Sequence, residues 1–185
     1  MFLKSLWLKT KTKKELITTF QVVIIAIYSA LTFALQVALA GLPNIELVTL
    51  MLTLAAVVFP WWMSFMISIT FSMLEILIFG TGQWIVLYLV VWNVLVLITF
   101  LFKKFIKRFW WIVIIIDGLF GFTFGMYDSG VFYLMNGFNF PATIVYYTKG
   151  VVFDLIHGVS NTAVAAILFR PFYNLLTKHF AKFIR

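Results

Sequence analysis

The chain has 185 residues, 64% of them apolar and only 11% charged, with a mean hydropathy of +1.08. So little charge over this length excludes a soluble globular domain and leaves an integral membrane protein with room for about six helical crossings of roughly 20–25 residues. Cysteine is absent, which excludes disulfide staples and thiolate chemistry, and the net charge of +8 sits in three short clusters rather than on a nucleic-acid-binding face.

In chain order, Lys4, Lys9, Lys11, Lys13 and Lys14 come first. With Phe2, Leu3, Leu6 and Trp7 among them, residues 1–14 read either as an amphipathic interfacial helix or as a solvated basic tail. Span 1 is expected at residues 16–40. It is too long for the apolar core of a cleaved leader, so it reads as a retained helix. Within it Ala26, Ala30, Ala34 and Ala38 recur every four residues, which places small side chains on one helix face and lets another backbone come close. Span 2 is expected at 45–59, between Pro43 and Pro60, and span 3 at 61–79, ending at Gly80-Thr81-Gly82.

Span 4, at 84–102, carries Trp84, Tyr88 and Trp92 four apart, with Gln83 and Asn93 beside them. Such a stripe serves an interfacial belt, lipid-facing packing, or a flat apolar ligand; Trp92 falls too deep for the belt. Lys103, Lys104, Lys107 and Arg108 read as a basic loop. Span 5, at 109–126, holds Gly118, Gly121 and Gly125, a close-packing face for a neighbouring helix of the same subunit. Residues 127–141 read as a polar, glycine-bearing outer loop, long enough to act as a lid. Span 6 follows at 142–169, and Arg170, Lys178, Lys182 and Arg185 close the chain.

The charge clusters test this count. Four spans separate the first cluster from the second, and two separate the second from the third. Both numbers are even, so all three fall on the cytoplasmic side, as short Lys/Arg-rich segments do. The expected fold is an all-α membrane protein, a single domain of six transmembrane helices with cytoplasmic N- and C-termini. The segments at 41–44, 80–83 and 127–141 then face outward.

Glu46, Glu75, Asp117, Asp128 and Asp154 lie in or beside these spans. A carboxylate in hydrocarbon costs about 2.5–3.5 kcal/mol on insertion scales, so each needs a partner or a wet cavity. Asp154, His157 and Asn161 share one face of span 6, with Ser160 beside it; they read as the polar wall of a ligand pocket, as a partner-sensitive latch, or as interhelical hydrogen bonding that fixes packing. Asp128, Asn136 and Asn139 sit in the expected lid, and Lys149 is the one cation outside the three clusters. No phosphate-binding P-loop, zinc ligand set or nucleophile elbow is present. A carrier using Glu46, Glu75 and Asp154 as an ion relay, or an intramembrane enzyme using Asp154 and His157, remain alternatives.

Several runs carry a family resemblance. They are the alanine ladder; Leu-Pro-Asn-Ile-Glu-x-Val-Thr-Leu at 42–50; Phe153-Asp154-Leu155-Ile156-His157-Gly158 followed by Asn161; Glu75 with Phe79-Gly80-x-Gly82-x-Trp84; and Leu168-Phe169-Arg170-Pro171. Over essentially its whole length the chain resembles the substrate-binding S-component of energy-coupling factor (ECF) vitamin transporters of prokaryotic plasma membranes. The resemblance implies a non-enzymatic subunit that docks through Ala26, Ala30 and Ala34 on a transmembrane coupling subunit. Two cytoplasmic ATPases would supply energy, and the subunit would topple to release its vitamin inside. It also implies an outer ligand site, for which the expected residues are Asn44, Glu46, Glu75, Gln83, Trp84, Tyr88, Asp128, Asn139, Lys149, Asp154 and His157. Within the family the chain looks most like members assigned to cobalamin; pantothenate, a pyridoxine-like ring and a queuosine precursor are the alternatives. No cofactor or metal is expected, since the vitamin is the transported substrate.

Overall fold

The computed structural model describes residues 18–180. The segment 1–14, read above as interfacial helix or tail, lies outside the described residues, as do Lys182 and Arg185. The described chain is helical from end to end: α1 (Thr19–Leu39), α2 (Val48–Val58), α3 (Trp61–Phe79), α4 (Trp84–Arg108), α5 (Ile112–Phe122), α6 (Phe124–Met135) and α7 (Phe140–Phe180). Five stretches are long and apolar enough to cross a membrane: α1, α3, α4, the continuous path Ile112–Met135, and α7.

α1 starts on a capping box, in which Thr18 accepts from the Gln21 amide at 3.3 Å and its own amide donates to the Gln21 side chain at 3.0 Å. Its inward face is Ile24, Tyr28, Ser29 and Thr32. The Tyr28 hydroxyl donates to the Met51 carbonyl at 2.7 Å and Ser29 to the Ile67 carbonyl at 3.1 Å. These bonds set the rotation of α1, and all four ladder alanines consequently face outward and exposed.

The expected second span is realised only in part. α2 has 11 residues, about 16 Å of helix, and cannot cross a bilayer alone. Ten of its residues are buried, so it is enclosed by protein on every side. That enclosure is why it tolerates apolar side chains all round. Residues 40–47 complete its path, turning at Asn44 with φ 59°, a left-handed conformation that asparagine adopts more readily than most residues.

The expected basic loop at 103–108 is instead the last turns of α4, since lysine and arginine are good helix formers and suit a helix C-terminus. Lys103 donates from there to the Phe59 carbonyl at 2.6 Å. The expected lid is also a helix. α6 occupies 124–135, and only a tight turn through Gly137 (φ 66°) separates it from α7. Tertiary packing overrides the weak propensity of this Gly- and Asn-bearing stretch: Phe132 stacks on Tyr146 at 4.3 Å, and Val131 and Ser129 are buried.

α7 is 41 residues long, about 61 Å, roughly twice the thickness of a hydrocarbon core. Residues 150–169, bounded by Lys149 and Arg170, supply a 20-residue membrane-length stretch. α5 and α7 make the closest helix pairing. A Cβ on Gly121 would lie 2.8 Å from the backbone of His157 and Gly158, so the glycine face predicted for span 5 is used inside the subunit. Phe59 meets Phe180 at 6.0 Å, and the Arg170 guanidinium lies 5.9 Å from the Trp110 ring. Both described basic clusters therefore occupy one end of the bundle, where α1 also begins.

Candidate functional site

The half of the bundle away from the basic end gathers Glu46, Glu75, Asp128 and Asp154. A slight break at Thr123, whose hydroxyl bonds back to the Leu119 carbonyl at 2.8 Å, separates α5 from α6 and leaves unpaired amides at the start of α6. Asp154 of α7 caps this start by accepting from the Gly125 amide at 2.8 Å. Its other oxygen, Oδ2, is buried with no hydrogen-bond partner among the described residues.

Asp154 stands on the wall of a cavity of about 390 Å³ that also includes Asn44, Asp128 and Lys149. Asp128 accepts a 2.7 Å hydrogen bond from the Tyr146 hydroxyl, so the stacked Phe132–Tyr146 pair fixes its carboxylate. Ser129, on the same wall, buries an unpartnered hydroxyl. The cavity thus presents two carboxylates, one exposed cation, a hydroxyl and several aromatic rings. That combination of apolar walls and a few convergent polar groups orients a small molecule.

Glu46 and His157 lie directly beneath. His157 Nε2 is 3.2 Å from Glu46 Oε1, a hydrogen-bond contact between α7 and the segment before α2. Glu46 also accepts from the Thr49 amide at 2.8 Å and from the Thr49 hydroxyl, which in turn accepts from Asn161 Nδ2 at 3.1 Å. Ser160 donates to the Asn44 carbonyl at 2.9 Å. This network fastens the 44–49 segment to α7 across more than a hundred residues of sequence. On this face of α7 Asp154 lines the cavity, whereas His157 and Asn161 bond to Glu46 and Thr49.

A second polar cluster lines α3 and α4. Trp84, Tyr88 and Trp92 pack edge to face at 5.3 and 5.5 Å, and Trp92, only 2% exposed, reaches Phe124 at 5.7 Å. The stripe is an internal aromatic column that joins the α4 wall to Phe124, which meets His157 edge to face at 5.1 Å; for Trp92 it is not a lipid-facing surface. Glu75 is buried at 4% exposure with Oε1 unpartnered, and Gln83 Nε2 is buried likewise.

Of the eleven expected site residues, Asn44, Asp128, Lys149 and Asp154 line the cavity, Glu46 and His157 pair with one another beside it, Glu75, Gln83, Trp84 and Tyr88 belong to the second cluster, and Asn139 joins neither group. Asn139 accepts from the Ala142 amide at 3.1 Å and caps the start of α7 at the exposed tip of the α6–α7 hairpin; it does not line the cavity, because the segment thought to fold over the site is helical and projects past it. Asn136 similarly bonds its own helix, donating to Phe132 O at 2.9 Å. Asp117 is 1% exposed and accepts from Thr53 at 2.8 Å, cross-linking α2 and α5 away from the site. Sequence reasoning missed Phe124, Ser129, Tyr146 and Tyr147, since reading 127–141 as a loop hid the helical register that brings them to one wall. A larger groove of about 400 Å³ between α1 and the end of α7 is lined almost wholly by apolar side chains such as Ile24, Met51 and Leu176, and offers nothing to orient a polar ligand.

No family model, curated protein or solved structure matches the chain significantly.

Proposed function

We propose that this chain is a non-catalytic, substrate-binding membrane subunit of the S-component type. In this reading it crosses the prokaryotic plasma membrane six times with both ends in the cytoplasm, and the buried α2 together with residues 40–47 serves as one crossing. The observation that carries the proposal is the outward rotation of α1. Ala26, Ala30, Ala34 and Ala38 are exposed while the polar residues of the same helix are turned inward. Small residues at this spacing favour close helix contact in lipid, and the subunit itself makes no use of them among its described residues. A transmembrane coupling subunit, energised by two cytoplasmic ATPases, is the partner this face fits.

The ligand belongs in the cavity at Asn44, Asp128, Lys149 and Asp154. Its volume of about 390 Å³ lies at the small end of the usual range for ligand pockets. That size favours a pantothenate-like, pyridoxine-like or queuosine-precursor ligand over cobalamin, which is several times larger. Two carboxylates against one cation favour a ligand rich in hydroxyl, amide or amine donors, with at most one acidic group for Lys149. Mass spectrometry of the small molecule that co-purifies with the protein tests the assignment, and a pull-down tests for ATPase and coupling subunits. The absence of both a retained polar ligand and such partners would refute it.

The buried, unpartnered oxygens of Glu75 and Asp154 favour a second reading, an autonomous carrier with an acid relay. Uptake by the purified chain alone in liposomes, driven by a pH gradient without ATP, decides for that reading.

A further inference from the structure

The basic end of the bundle holds a separate cavity of about 240 Å³, where the end of α4, the start of α5 and the last third of α7 meet. Its floor is apolar: Val57, Ile106 and Phe169 are at most 1% exposed. Its rim is cationic, with Lys107 and Arg108 from one side and Arg170 from the other. No aspartate or glutamate lines it, and none of the three cations forms an ion pair with a carboxylate among the described residues. These three cations come from distant parts of the chain to face one cavity, a placement complementary to an anion.

Two further observations define that anion. The Arg170 guanidinium lies over Trp110 at 5.9 Å and that of Arg108 over Phe109 at 5.1 Å. Rings hold the planar groups in place, and their N–H forks suit bidentate contact with phosphate oxygens. The depth is also set. Arg170 and Lys149 bracket 20 residues of α7, about 30 Å of helix, which is one hydrocarbon thickness. Arg170 therefore stands at the level of the headgroup phosphates. Phe105, Phe109 and Trp111 beside the cavity are 58%, 41% and 50% exposed, a surface suited to acyl chains.

We propose that this cavity binds the phosphodiester headgroup of an anionic membrane phospholipid, with its acyl chains lying along the adjoining aromatic surface. The site is independent of the vitamin-site reading. A basic segment merely facing an anionic leaflet needs no cavity; here shape, cation placement and depth coincide.

The test is native mass spectrometry of the purified full chain in detergent, titrated with phosphatidylglycerol, phosphatidylcholine and inorganic phosphate. Phosphatidylglycerol is expected to bind at least about tenfold more tightly than phosphatidylcholine, a difference that corresponds to about 1.4 kcal/mol. Lys107→Gln/Arg108→Gln/Arg170→Gln should reduce it to the phosphatidylcholine level. Lys104→Gln/Lys178→Gln, exposed cations outside the cavity, should leave the preference intact. Arg170→Lys, which keeps the charge without the fork, should give an intermediate affinity, and thermal unfolding of each variant checks that it is folded. Equal binding of the two lipids by the wild type, or a preference that survives the triple substitution in folded protein, overturns the proposal. Displacement of phosphatidylglycerol by equimolar inorganic phosphate overturns the lipid assignment in favour of a soluble phosphate site.

Discussion

Gly121 of α5 packs directly against the backbone of α7. A methyl group there would sit 2.8 Å from Gly158 N, Gly158 Cα and the His157 carbonyl carbon, all backbone atoms, whereas ordinary contact begins near 3.4 Å. Relief demands a displacement of about 0.6 Å between α5 and α7, because no flexible side chain can yield. That displacement also pulls on the Thr53–Asp117 bond and on the Asp154 cap of Gly125, both 2.8 Å long. Overpacking a close-packed contact costs about 1–3 kcal/mol. For a chain of this size each kcal/mol moves the midpoint by about 2–4 °C, so Gly121→Ala should lower Tm by roughly 2–12 °C. The matched control is Gly130→Ala in α6, where a Cβ would meet nothing within 4 Å; there the helix-propensity gain of about 0.5–1 kcal/mol should leave Tm unchanged or slightly raised. Thermal unfolding of both variants in the same detergent measures the difference. Equal midpoints would falsify the claim that the glycine face sets the distance between α5 and α7.

Other outcomes follow from the same contacts. Thr53→Val should cost about 1–3 kcal/mol by removing the hydroxyl that donates to buried Asp117 Oδ1, and Thr53→Val/Asp117→Leu should recover much of it, since removing both partners of a buried pair is nearly neutral; denaturant unfolding of the single and double variants checks this, and no loss in the single variant speaks against the cross-link. Asp128→Asn, assayed by calorimetry with whichever ligand co-purifies, should weaken binding by about 10–100-fold if it accepts a charge-assisted hydrogen bond worth about 1.5–3 kcal/mol, while Asn139→Ala, at the far hairpin tip, should leave affinity unchanged. Ala30→Trp should leave ligand binding intact and stability within about 0.5 kcal/mol, as expected for an exposed site, yet abolish uptake in cells and capture of a coupling subunit. Uptake that survives Ala30→Trp removes the docking role from the ladder.

The long apolar helices α1, α3 and α4 were readable because each depends on a local apolar run, and the glycine face on span 5 was readable because its spacing is local too. The union of Glu46 with His157 was not, since nothing local to either residue announces a partner 111 positions away. Each looked like a lone polar group in an apolar run, and only folding shows that one answers the other. Residues 127–141 failed for a different reason. Gly130, Asn136, Gly137 and Asn139 are turn formers, and local propensity weighs all four alike. In the structure only the last three stand at the hairpin turn, while Gly130 is carried inside α6 by the Asp154 cap and the Phe132–Tyr146 stack. The alanine ladder was visible in sequence, but its direction was not. That depended on where Tyr28 and Ser29 found carbonyl acceptors on α2 and α3.

The two small-residue faces of this chain therefore do opposite things, and their surroundings show why. On α5 the glycines meet another glycine, Gly158, and the contact is consumed within the subunit. On α1 the alanines stand opposite a row of inward-facing hydrogen-bonding groups, which must be satisfied inside the protein because lipid offers them no partner. Rotating α1 to bury the ladder would turn Tyr28, Ser29 and Thr32 toward hydrocarbon. The exposed ladder is thus fixed by the polar face behind it. If α1 is the docking face proposed above, the contact leaves the fold behind it unchanged, and the Asn44–Glu46 segment at the cavity leads directly into the enclosed α2.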